Sequence, residues 1–110
     1  MTMQPKSFAQ VFSVILERQA SANHATSYVA SLFHKGLDAI LKKVGEEAAE
    51  VIISAKNPDR SAHIHEVTDL WFHLLLLMAA LGLNLQDIEQ EFGQRFGNSG
   101  LEEKAGRSRT

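Results

Sequence analysis

Between Leu70 and Leu83 the chain reads LWFHLLLLMAALGL, and no other stretch restricts the fold as much. The run is interrupted by His73 and is shorter than the roughly 20 residues needed to cross a bilayer, so it reads as a buried helix. A helix that is apolar almost all round must be covered on more than one side. A chain of 110 residues leaves a larger share of its surface exposed than a bigger domain does, so its own short helices supply little cover. A second copy of the protein is the natural cover, which predicts a homodimer or larger homo-oligomer.

The rest of the chain carries the same 3.6-residue period. Ser7 and Gln10 have the spacing of a capping box, and Phe8, Val11, Phe12 and Ile15 follow on one helical face, which predicts a first helix over 7–19. Residues 19–26 are small and polar and read as a connection. Ser27 then caps a short helix that ends near Gly36. From Leu37 to Ala55 the apolar positions again share a face. Asn57, Pro58 and Asp59 break the pattern and predict a turn. A long helix over 61–81 stops at Gly82, and a last amphipathic one runs over 85–96, with Asn84 as its cap and Gly97 as its stop. No β-type alternation or repeat occurs. The expectation is one all-α domain over 1–110, built of antiparallel helical hairpins into a bundle that a second copy completes, with a polar tail from about residue 98.

Composition removes several functions. A formal net charge of −2 gives no global electrostatic reason to bind nucleic acid. The chain has no cysteine, hence no disulfide, no thiolate nucleophile and no cysteine-bound zinc, and it suits a reducing cytoplasm. The first residues, MTMQPKSF, lack the apolar core of a signal peptide. We therefore expect a cytoplasmic protein that neither spans a membrane nor binds nucleic acid.

Its acids are organised. Glu46, Glu47 and Glu50 form E-E-x-x-E on one predicted helix, and Glu66 and Asp69 form E-x-x-D on the next. At about 100° per residue, Glu47 and Glu50 share a sector beside the apolar face, while Glu66, Asp69 and His73 share one stripe. If the hairpin turns about Pro58, residues whose numbers sum to 116 stand level, so Glu50 faces Glu66 and Glu47 faces Asp69. Four carboxylates meeting between two helices repel one another unless a cation lies among them, and hard divalent ions with oxygen ligands answer that need. Magnesium fits best, since it keeps waters and bridges phosphate oxygens. Either acidic motif alone is commonly a solvated helix face; their joint spacing is what argues for a metal site.

At these residues the chain resembles a known family. The segments GLDAILKKVGEEAAEVIISAKN, EVTDLWFHLLLLM and SGLEEKAGR, with Ser27 and Tyr28 before them, look like the landmarks of the phosphoribosyl-ATP pyrophosphatases. That family is part of the MazG-like group of all-α nucleotide pyrophosphohydrolases, and the resemblance spans roughly residues 27–107. It implies that Glu47, Glu50, Glu66 and Asp69 bind magnesium, with Glu46 as a further ligand or a water-orienting base, so that Glu46, Glu47 and Glu50 carry catalysis. It also implies cleavage of phosphoribosyl-ATP to phosphoribosyl-AMP and pyrophosphate, in histidine biosynthesis. One position departs from the pattern: Phe72 stands where the family usually has tyrosine before the histidine.

Other residues admit two readings each. Lys43 lies angularly between Glu47 and Glu50 and is either a solvated lysine or a point charge for substrate phosphate. Arg95 either favours its helix dipole or reaches phosphate. His73 is a satisfied core histidine or supports the metal site from one turn beyond Asp69. Tyr28 either packs or, as the resemblance suggests, stacks on a purine. His63 and His65 point to different sides of their helix and do not read as a metal pair. Two other functions share these features: a house-cleaning nucleoside triphosphate pyrophosphohydrolase, and a noncatalytic helical dimerisation module.

Overall fold

The computed structural model describes residues 4–21, 23, 25 and 27–97. These form five helices: α1 (Phe8–Gln19), α2 (Tyr28–Lys35), α3 (Leu37–Ala55), α4 (Arg60–Ala80) and α5 (Leu85–Gly97). Among the described residues there is no strand, so the all-α expectation holds. The predicted tail from residue 98 and the SGLEEKAGR landmark lie outside the described residues.

The helix ends fall where local hydrogen bonding puts them. Ser7 accepts from the Gln10 amide at 3.1 Å while the Gln10 side chain accepts from the Ser7 amide at 3.1 Å, a reciprocal box that satisfies two otherwise orphaned groups. Asn84 and Asp87 make the same exchange at the start of α5, both at 2.9 Å. Ser27 caps α2 through the Ala30 amide and Asp59 caps α4 through the Ala62 amide. Gly36 takes φ 102° to end α2 and begin α3 without an intervening loop. Gly82 takes φ 75° after α4, where its amide bonds the Ala79 carbonyl and the Leu83 amide bonds the Met78 carbonyl. That is a Schellman ending, and both glycines occupy backbone conformations that side chains disfavour.

The α3–α4 hairpin is the main packing unit, with α1 lying against α2 and α4, and α2 against α3. Its seam is readable from burial. On α3 the buried residues are Ile40, Glu47 and Ser54, seven apart, which is the spacing of a narrow helix–helix seam. On α4 the facing stripe runs Glu66, Asp69, His73 and Leu76. At the end distant from the turn it is apolar: Ile40 and Leu76 are 1% and 0% exposed and belong to one core cluster with Phe12, Ile15, Val29, Leu32 and Leu75. Toward the turn the seam is polar. The Gln19 side chain donates to the Ala79 carbonyl at 3.2 Å and ties the end of α1 to the end of α4.

The apolar run does form part of one buried helix, but its cover is incomplete. His73, Leu75, Leu76, Met78 and Ala79 are buried, whereas Trp71 and Leu81 are 40% and 53% exposed. Among the described residues no single helix is long and apolar enough to cross a membrane.

Candidate metal centre

The polar half of the hairpin seam gathers three acids. Glu47, Glu66 and Asp69 each bring a carboxylate oxygen within 4.8 Å of the other two. Glu47 is buried at 8% exposure, and Glu66 and Asp69 are half-buried. Burying a carboxylate is costly unless a charge or hydrogen bonds compensate it. Lys43, one turn earlier on α3, supplies part of that compensation: its ammonium lies 3.2 Å from Glu47 and 3.4 Å from Glu46. The hydrogen bond to Glu47 holds the Lys43 ammonium above the usual lysine range. Lys43 therefore stands at the acids, on the same helix, rather than as an isolated solvated residue.

Glu50 is exposed and is not part of this close group. The physical reason lies in the seam: with Glu47 pointing directly into it, a residue three positions on is turned about 60° outward. Glu46 is also exposed and is held near the cluster by Lys43.

A second helix pair joins the site. His73 is 3% exposed; its Nδ1 lies 2.8 Å from the Asp69 carbonyl and its Nε2 lies 2.8 Å from the Tyr28 hydroxyl. The ring of Tyr28 stacks on Phe72 with centroids 6.4 Å apart and planes inclined by 22°. Phe72 thus packs, and the position that departs from the family's usual tyrosine keeps an aromatic role. Burial pushes the Tyr28 phenol above its ordinary range, Lys43 opposes that, and the charges of Glu47, Asp69 and Glu46 add to it. Arg95 lies elsewhere in the contact pattern: its guanidinium donates to Glu91 at 3.1 Å on its own helix.

His65 was not singled out by sequence reasoning as a neighbour of the acids. Its Nε2 lies 3.7 Å from the Asp69 carboxylate, an ion pair when the ring is protonated. The signal was present as the i,i+4 spacing of His65 and Asp69, which places two side chains one above the other on a helix. His63 turns instead to the α3–α4 connection, where it bonds the Asn57 carbonyl at 2.6 Å.

The donor set is all oxygen, comes from two facing helices and converges from a partly buried seam. It suits a hard divalent cation, which three carboxylates leave short of its full set of ligands. A helical hairpin that presents E-E-x-x-E across from E-x-x-D defines the all-α MazG-like class. Within that class the chain belongs to the phosphoribosyl-ATP pyrophosphohydrolase family, whose sequence model matches residues 8–96. A phosphoribosyl-ATP pyrophosphatase of Methylococcus capsulatus is 52% identical, with 84% of this chain and 89% of the relative covered. Proteins of the same name from Chromobacterium violaceum and Hydrogenovibrio crunogenus are 52% and 50% identical, each match covering 86% of this chain and 88% of the relative.

Proposed function

We propose that the protein hydrolyses phosphoribosyl-ATP to phosphoribosyl-AMP and pyrophosphate, as a cytoplasmic step of histidine biosynthesis. The observation that carries this reading is the convergence of Glu47, Glu66 and Asp69 across the hairpin of a chain in this family. These three acids hold magnesium, and Glu50 joins them from the exposed rim. The ion, when bound, offsets charge on the phosphoryl oxygens and makes a bound water more acidic.

The chain's own residues do the remainder. Glu46, beside the cluster, orients the attacking water or takes its proton. Oxygen of that water bonds to phosphorus as the α–β anhydride bond breaks, and the bond's electrons leave with pyrophosphate. Lys43, placed between Glu46 and Glu47, offers its ammonium as a point charge to the substrate's phosphates. No serine or cysteine nucleophile is required. Tyr28, bonded to the buried His73, borders the substrate side of the cluster.

The working form is a homodimer. Ile64 and Val67 are 54% and 43% exposed on α4, an apolar strip on the side of that helix away from α3 that a second copy covers.

The test is pyrophosphate release from phosphoribosyl-ATP, from ATP and from the common deoxynucleoside triphosphates, each with magnesium and with chelator. Rapid, magnesium-dependent turnover of phosphoribosyl-ATP alone is expected. Turnover of free triphosphates in preference to it assigns the chain to nucleotide house-cleaning instead. Absence of any saturable magnesium binding, together with no turnover, reduces it to a helical interaction module.

A further inference from the structure

The Tyr28 hydroxyl has a fixed hydrogen-bond polarity, and the reason begins at a backbone carbonyl. The Asp69 C=O can only accept, so the His73 Nδ1 at 2.8 Å carries the ring's proton and donates it. In the neutral ring Nε2 then holds only a lone pair. The Tyr28 hydroxyl, 2.8 Å from that nitrogen, must donate. Its single proton is committed inward, and its oxygen is left as an acceptor only.

The arrangement is held from several sides. His73 is 3% exposed, Phe72 meets the imidazole edge-on at 5.2 Å, and Tyr28 meets it edge-on at 5.8 Å. The two hydrogen bonds hold the phenol one imidazole away from the backbone of Asp69, an acid of the cluster. Ionised carboxylates have no proton to give it. An acceptor beside acids is favourable only where a donor lies between them, and an ammonium or a water is such a donor.

We propose that Tyr28 is a positioning residue of the acidic cluster, whose oxygen accepts a hydrogen bond from a water held there, with His73 setting the polarity that makes this possible. The proposal rests on the reading of Glu47, Glu66 and Asp69 as a magnesium site. It gives α2 a part in that site, since the chain Tyr28–His73–Asp69 connects α2 to the backbone of one of the acids. It also distinguishes the phenol from the ring: a stacking role needs only the ring, whereas this role needs the oxygen.

Magnesium binding without substrate tests it, by calorimetric titration of wild type, Tyr28→Phe, Tyr28→Leu and His73→Asn. Groups that orient a metal's immediate ligands change metal affinity by about 10-fold or more when removed. Tyr28→Phe is expected to weaken magnesium by about that factor and to lower kcat, with KM for the nucleotide within about 2-fold. His73→Asn, which keeps a donor for the Asp69 carbonyl but is too short to place an acceptor where Nε2 meets Tyr28, is expected to weaken magnesium equally. The double variant is expected to be no worse than either single one, because both remove the same bond. If Tyr28→Phe binds magnesium like wild type while Tyr28→Leu raises KM, the ring alone matters and the proposal is overturned. His73 is buried, so its variant is first checked for helix content; Tyr28, half exposed, decides the question without it. A wild-type protein with no saturable magnesium site overturns the reading of the cluster itself.

Discussion

Glu47 shows what a single position can and cannot announce. Its sequence context marks it as one of three glutamates on a helix, equivalent by composition to Glu46 and Glu50. The fold separates them: Glu47 enters the seam at 8% exposure, while the other two remain at the surface. The angular arithmetic puts Glu47 and Glu50 in one sector beside the apolar face, but it does not say which of them the crossing of α3 over α4 turns inward. That choice depends on packing at Ile40 and Ser54, the seam positions on either side. The consequence for activity is a ranking. Asp69→Asn and Glu47→Gln remove acids of the close group with little change in volume, and are expected to lower kcat by roughly 100-fold or more. Glu50→Gln, at the rim, is expected to cost only about 10-fold. Pyrophosphate-release kinetics with saturating magnesium, on variants whose helix content matches wild type, check the order. Equal losses for Glu50 and Glu47 would show that Glu50 swings in to join the site and that its exposure here does not describe the working state.

At the scale of elements, the fold was legible because each helix carries its own punctuation. Serine, aspartate or asparagine opens α1, α2, α4 and α5, and glycines with positive φ follow α2 and α4. The expected boundaries differ from the observed ones by one residue at most, as where α4 begins at Arg60 and α5 includes Gly97. The partners of side chains were less legible. His65 and Asp69 were adjacent by spacing, yet nothing local shows whether a surface histidine leans toward an acid or into solvent. The outer face of the hairpin carries a prediction of its own. Ile64, Val67, Trp71, Leu74 and Met78 recur at alternating three- and four-residue steps along α4, the pattern of a helix–helix seam. Ile64 is 54% exposed at one end of that line, whereas Trp71 also packs on Phe8 with ring centroids 5.0 Å apart. Ile64, outside the core cluster and more than half exposed, is therefore the position at which Ile64→Lys tests the seam. If a second copy covers this face, the buried charge is expected to raise the dimer dissociation constant by roughly 30-fold, the effect of losing an interface contact worth about 2 kcal/mol. Light scattering across a concentration series reads this directly. An unchanged association constant would move the interface to another face.

At the scale of the whole molecule, the site and the stability of the fold are linked, because the hairpin that holds the acids is also its main packing unit. Without metal, Glu47, Glu66 and Asp69 stand close together, and among the described residues Lys43 pairs with Glu47 and Glu46. The folded state consequently carries repulsion between α3 and α4 that the unfolded chain does not. Magnesium relieves it and binds only the folded form. At one hundred times its dissociation constant, a ligand of this kind adds about 2.7 kcal/mol of stability, which for a chain of this size corresponds to a rise in Tm on the order of 10 °C. Glu66→Gln separates the two effects. Loss of one negative charge lowers the repulsion, so the metal-free variant is expected to be as stable as wild type or more so. Loss of one ligand weakens magnesium, so the increment the metal adds is expected to shrink. Stability without metal and response to metal thus move in opposite directions. Paired thermal melts in chelator and in millimolar magnesium measure both, at one fixed protein concentration so that association contributes equally. If Glu66→Gln strongly destabilised the metal-free protein and kept the full increment, Glu66 would be holding the hairpin through hydrogen bonds rather than facing an ion. The cation would then have to be sought away from this seam.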